Sequence, residues 1–315
     1  MKKTDRRELL TFIGFIAPGL LIYLFIIAYP ICYSVFLSFT DYNPNMTKPV
    51  TFQGLANYIK VLTMNKGIVD PNSDIPEFWY AFKNNMIVVA VSVFGQIPIG
   101  FALAFILYRK QVKGATFFQS MVFLPQFLST IVIGIMWRML FMIDGPVSRL
   151  IQYFKDDPKA QFTMMMEPGK AMFPIGVALI WMYTGFYMII FLANLQKINE
   201  SMFEAAKIDG ASEFQIFCRI TIPLLAGAIL TSCILAIAGS LKGFSLIYAL
   251  APEGKQRINT EVLPIYMYRV AFNNAKDPQR FAYGATISNI VVLISVLLIS
   301  FSNWVGDKLG TGEEY

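Results

Sequence analysis

Six apolar runs, each long enough to cross a lipid bilayer, dominate this chain. They fall at about residues 11–39, 81–108, 115–143, 172–195, 220–250 and 281–305. About 20 residues of α-helix cross a hydrocarbon core. No water is present there to satisfy backbone N–H and C=O groups, so a chain patterned this way is confined to helices. The expectation is an all-α polytopic membrane protein with six transmembrane helices, forming one transmembrane domain over 1–315. Only 15% of the residues are charged and 56% are hydrophobic, whereas a soluble domain carries about a quarter charged residues. Subtracting the runs leaves no soluble domain, only connecting segments, the longest at about 40–80 and 144–171.

The same composition removes several kinds of function. The chain has no histidine, which excludes imidazole acid–base chemistry and histidine metal sites. Cys32, Cys218 and Cys233 lie in or beside apolar runs, so no disulfide framework is implied. The net charge of +6 is spread over the loops and leaves no nucleic-acid footprint. Met164, Met165 and Met166 read as adaptable packing rather than a metal site. No metal or cofactor is expected on this chain. Lys2, Lys3, Arg6 and Arg7 precede a first run that is longer than the apolar core of a secretory signal. A short loop of three bases and no acid, Arg109 to Lys113, follows the second run. By the positive-inside rule both features face the cytoplasm, as then do both termini.

One polar stretch, residues 197–219, interrupts the apolar pattern between the fourth and fifth runs. Ser201 and Glu204 have the spacing of a capping box, which predicts a helix starting at Ser201. Gly210 is placed to end that helix in the left-handed conformation. Ser212 and Gln215 repeat the capping spacing, and Pro223 falls where the next run begins. Two capped helices between membrane spans form a rigid protrusion.

These residues also carry a family resemblance. Glu204-Ala205-Ala206, then Gly210, then Ile220-Thr221-Ile222-Pro223 resembles the EAA loop of ATP-binding-cassette importer permeases, with Ile222 where leucine is usual. Phe52 to Tyr58, Leu124-Pro125-Gln126 with Trp137, Trp181 to Gly185 and Leu195 to Asn199 resemble permeases of the carbohydrate-uptake type. One stretch departs: Ala251-Pro252-Glu253-Gly254 stands where such permeases often read T-x-G-G-P. The resemblance implies a type I importer bundle whose polar loop is a coupling helix seated in a cytoplasmic ATPase. Ser201, Glu204, Ala205, Ala206, Asp209, Gly210 and Ala211 are its expected coupling residues. It also implies a second permease subunit, two ATPase subunits that bind ATP and Mg, and an extracytoplasmic solute-binding protein. The permease itself makes and breaks no covalent bond.

For a sugar, the pathway needs aromatic faces and uncharged amides or hydroxyls. Gln96, Gln126, Tyr183, Tyr187, Ser240 and Asn289 fit that chemistry, although polar residues in spans also serve helix–helix hydrogen bonds. Lys242 joins them as the one base clearly inside a run, near its outer end. The alternative is a secondary transporter or channel that works without ATP. Ion-coupled carriers use ionisable groups at mid-membrane, and no aspartate or glutamate lies inside the runs. An intramembrane enzyme lacks any catalytic constellation.

Overall fold

The computed structural model describes residues 6–44, 49–64, 74–109, 113–167, 169–251, 258–273 and 277–308. In chain order, α1 (Arg6–Tyr23) passes through a π-helical turn into α2 (Tyr29–Ser38), and α3 (Ala56–Thr63) follows. α4 (Glu77–Val91) joins α5 (Ile97–Tyr108) through a second π-helical turn. α6 (Ala115–Phe123), α7 (Thr130–Leu140) and α8 (Pro146–Lys155) precede the unbroken α9 (Met172–Leu195). α10 (Glu200–Ile208), α11 (Glu213–Ile216) and α12 (Ile222–Leu224) lead into α13 (Ala226–Lys242) and α14 (Ser245–Leu250). α15 (Leu263–Tyr268) and α16 (Arg280–Lys308) come last.

All six apolar runs are helical, but two of them are broken. Thr11–Ser38, Glu77–Tyr108, Met172–Leu195 and Arg280–Lys308 are each long and apolar enough to cross a membrane. Ala115–Phe127 with Thr130–Leu140 meets the same test only as a pair, bent by 97°, and Glu213–Leu224 with Ala226–Lys242 bends by 70°. The first break has a visible cause. Pro125 has no N–H to continue the α6 ladder, so the helix passes into a 3-10 turn at Leu124–Phe127, after which Leu128 is extended with ψ 151°. The fifth run ends its main helix at Lys242 and resumes as the separate α14.

The chain divides into two compact units: Met1–Thr63 with Met267–Ile290, and Met64–Tyr266 with Val291–Tyr315. In the first, Asn57 is the organising side chain. It is buried and donates to the carbonyls of Ser38 at 2.9 Å and Thr40 at 2.7 Å. These carbonyls lie at the C-terminus of α2, where no intrahelical partner exists. The Phe52 to Tyr58 segment therefore caps the end of a span, and the Tyr58 hydroxyl reinforces it at 2.9 Å from Ser38 Oγ.

The second unit is built around α9, of which one face after another is covered. Met172, Ile175, Leu179 and Met182 enter one apolar cluster, while Tyr187, Met188, Phe191 and Leu195 enter a second with α5. Two glycines set the helix spacing. A Cβ on Gly100 would stand 2.9 Å from the Thr184 carbonyl and the Met188 nitrogen. One on Gly185 would collide with the Val122 carbonyl of α6. Small residues at such contacts let backbones approach closely. Polar ties complete the unit: Asn84 Nδ2 bonds the carbonyls of Asn259 and Glu261, both at 3.0 Å. Asn85 Nδ2 bonds the Ser240 carbonyl at 3.2 Å.

The obstacle at Gly185 is backbone, which cannot rotate aside. Gly185→Ala is expected to cost about 1–3 kcal/mol by overpacking, read as a lower unfolding temperature of the purified protein. Gly14→Ala, whose Cβ meets nothing within 4 Å, should leave that temperature unchanged or higher.

Candidate functional site

The polar stretch forms two short helices, as its caps require, but the first begins earlier than expected. Asn199, not Ser201, is the N-cap: its Oδ1 accepts from the Ser201 backbone N–H at 3.1 Å. Asparagine is among the strongest N-caps, and starting there shifts Glu204 out of the position that closes a capping box. Ser201 and Glu204 therefore lie on the exposed side of α10, and no box links them. The second box is present: Ser212 and Gln215 exchange hydrogen bonds of 2.7 and 3.2 Å.

Gly210 closes α10 at φ +79°. The Gly210 N–H reaches the Lys207 carbonyl at 3.0 Å and the Ala211 N–H reaches the Ala206 carbonyl at 2.9 Å. This pair of bonds is the Schellman arrangement. Of the expected coupling residues, Ser201, Glu204, Ala205, Asp209 and Gly210 are exposed, Ala211 is half-buried and Ala206 is buried. Ala206 packs inward with Phe203 and Ile216, which seats the loop. Three large apolar side chains face outward instead: Met202, Ile208 at 86% exposed and Phe214 at 75%.

The loop is tied to the end of α5. Arg109 Nη2 donates to Glu213 Oε1 at 2.6 Å, and Lys207 Nζ lies 3.5 Å from the same oxygen. The Arg109 guanidinium also sits 5.4 Å from the Phe203 ring centroid. Sequence reasoning took Arg109 only as a topology signal. Its partner in the fold lies 104 residues away, a pairing that no local pattern announces. The Arg109 hydrogen bond holds the Glu213 carboxyl below its ordinary value of 4.5.

The second feature is a cavity of about 390 Å³ walled by α4 and the π-helical turn after it, the Pro125 turn, α7, α9, α13 and α14. Gln96, Gln126, Tyr183, Tyr187, Ser240 and Lys242 all line it. Gln96 Nε2 is anchored to the Leu179 carbonyl at 3.2 Å, and Ser240 Oγ to Ser92 Oγ at 3.0 Å. Gln126 Oε1 is buried without a hydrogen-bond partner. Lys242 ends α13 with its side chain exposed, where a cation suits the helix dipole. Asn289 is not among the lining residues. It belongs to the first unit, where its Nδ2 donates to the Ser34 carbonyl at 3.3 Å. Phe186 and Phe244 also line the cavity and escaped sequence reasoning, because an aromatic residue in a span carries no mark of where it points.

Residues 96–310 match the family described as the binding-protein-dependent transport system inner membrane component. The chain belongs to this family. It is an importer permease, an integral protein of the inner membrane that works with a binding protein. A probable ABC transporter permease of Pyrococcus horikoshii is 30% identical over 90% of this chain and 91% of its own length. The lactose transport system permease LacF of Rhizobium radiobacter is 31% identical over 91% of this chain and 90% of its own. The fold matches a bacterial ABC transporter involved in the import of alginate, with TM-score 0.78 and 20% identity, covering 97% of this chain and 98% of that one.

The Arg109–Glu213 pair gives a measurable quantity. Glu213 is 45% exposed, so solvent screening limits the coupling to about 1 kcal/mol or less, read by a double-mutant cycle with Arg109→Gln and Glu213→Gln on thermal unfolding. A carboxyl held below its unfolded value stabilises above that value. The contribution should therefore be constant from neutral pH down to about pH 5, and lost as pH falls through the lowered pKa.

Proposed function

We propose that this permease forms half of the translocation pathway of an ATP-driven importer for a sugar or oligosaccharide. The observation that carries this reading is the cavity, lined by the anchored Gln96 amide, the Gln126 amide, hydroxyls and tyrosines, and with no carboxylate among its lining residues. Pyranose rings stack on aromatic faces, and their hydroxyls exchange hydrogen bonds with uncharged amides. Curated relatives that resemble the chain include the lactose permease above and a xylose/arabinose import permease of Haloferax volcanii, 27% identical over 85% of this chain.

In this reading a second homologous permease closes the other side of the pathway, in a bacterial cytoplasmic membrane. Two ATPase subunits bind ATP and Mg and hydrolyse the nucleotide, and an extracytoplasmic binding protein delivers the solute. The outward face of α10, with Ser201, Glu204, Ala205 and Asp209 beside Met202 and Ile208, seats in the ATPase. Gly210 keeps that face compact, and Ala206 and Ala211 hold it to the bundle. The Arg109–Glu213 bridge passes its movement to α5. Both termini are cytoplasmic, on the side of the coupling loop. A carrier driven by ions alone has no need of a rigid, capped, apolar-faced protrusion.

The decisive measurement is solute-stimulated ATPase activity of the purified complex, with subunit content checked alongside. A side chain at Gly210 meets the steric cost of positive φ, about 1 kcal/mol or more. Gly210→Val and Glu204→Lys should therefore lose stimulation or ATPase docking while the binding protein keeps its affinity for solute. Full stimulation and normal uptake in both variants would assign transmission elsewhere. Topology is checked separately. A cysteine at Lys159 should react with impermeant thiol reagents from outside intact cells, and one at Ser212 should not.

A further inference from the structure

The cavity is not isolated on its helices. A second, open one of about 660 Å³ is lined by Ile190, Asn194 and Lys197 at the end of α9 and by Gly227, Ala228 and Thr231 of α13. Along α9 and the turn that follows it, the lining residues of the two cavities recur as Leu179, Tyr183, Tyr187, Ile190, Asn194 and Lys197. Steps of three and four put them on one helical stripe. On α13, Ala228, Thr231, Leu235, Gly239 and Lys242 repeat the pattern. Both cavities are thus walled by the same stripes of α9 and α13, along the groove between these two helices.

The charges along this groove have a single sign. Among the described residues, Lys242 and Lys197 are the only charged ones that line either cavity. Among the described residues neither lysine forms an ion pair, and the three bridges present join other groups. Lys197 Nζ rests 3.3 Å from Asn194 Oδ1, which leaves two of its three N–H donors for another acceptor. Clefts lined by one sign of charge concentrate solutes of the other. A neutral sugar needs no such charge, and a base inside an apolar run, as Lys242 is, marks a candidate for a pathway. The buried, unpartnered Gln126 Oε1 adds an acceptor suited to a solute hydroxyl.

We propose that the solute is an anionic saccharide, carrying a carboxylate or a phosphate, and that Lys242 and then Lys197 receive its charge as it moves along the groove. This rests on the carbohydrate reading above and narrows it.

The test uses the complete transporter, with its partner permease, ATPase subunits and binding protein, in proteoliposomes. The probes are neutral disaccharides, uronate disaccharides, sugar phosphates and neutral amino acids. An acidic saccharide should drive the greatest uptake and ATPase stimulation, and the uronate and phosphate arms identify which anion it carries. With that solute and saturating binding protein, Lys242→Gln and Lys197→Gln should each lower uptake about tenfold or more, the worth of a charge-assisted hydrogen bond. Lys242→Arg should restore most of it, and Lys159→Gln, away from the groove, should change nothing. An uncharged probe that drives full stimulation overturns the proposal. If that probe is a disaccharide, carbohydrate import still stands; if it is an amino acid, both readings fall. Acidic uptake unchanged in both glutamine variants also overturns the assignment of the lysines.

Discussion

The close approach of α9 to α5 and α6 is the constraint on which the second unit depends. Backbone meets backbone at Gly100 and Gly185, where even one added carbon lacks room. That spacing brings Gln96 of the π-helical turn within hydrogen-bond reach of the α9 main chain and sets Tyr183 and Tyr187 along one wall. In a membrane, apolar side chains gain little by leaving lipid for protein, so tight packing and interhelical hydrogen bonds hold helices together. The same contacts that build the bundle therefore shape the cavity.

The polar loop between the fourth and fifth runs solves a different problem, that of remaining ordered with few neighbours. α10 and α11 are short, and isolated helices of that length are marginal in water. Their ends are closed by the Asn199 cap, the Gly210 Schellman bonds and the Ser212–Gln215 box. Phe203, Ala206 and Ile216 then press the pair against Tyr108 and Ile198. Arg109 adds a charged tie and covers the Phe203 ring. The element is thus fixed on its inner face and presents Met202, Ile208 and Phe214 together with Ser201, Glu204 and Asp209 on its outer one.

Motif residues divide between these tasks in an instructive way. Asn57 of the Phe52 to Tyr58 segment caps a span, and Trp137 packs edge-on against Trp181 at 5.8 Å. Both serve the scaffold. Gln126, beside Pro125 at the bend of the third run, instead turns toward the cavity. Recurrent sequence patterns therefore mark positions under constraint without saying whether packing or solute imposes it.

Helical class, the number of apolar runs, the family resemblance and the breakpoint at Gly210 were all legible in the sequence, because each depends on neighbours within a few turns. Apolar length decides what can lie in lipid, and a glycine after a helical run decides where it can stop. Six of the seven residues chosen for the pathway by chemistry do share one cavity. Local reasoning failed where two local solutions competed, as when Asn199 outranked Ser201, and where a bend depended on how a proline turn was accommodated. Tertiary structure alone decided that Asn289 ties α16 to the Ser34 carbonyl, that Ala206 points inward, and that Arg109 meets Glu213. Each of these depends on which distant helix lies alongside, and helix order in space is set by long-range packing that no short stretch of sequence contains.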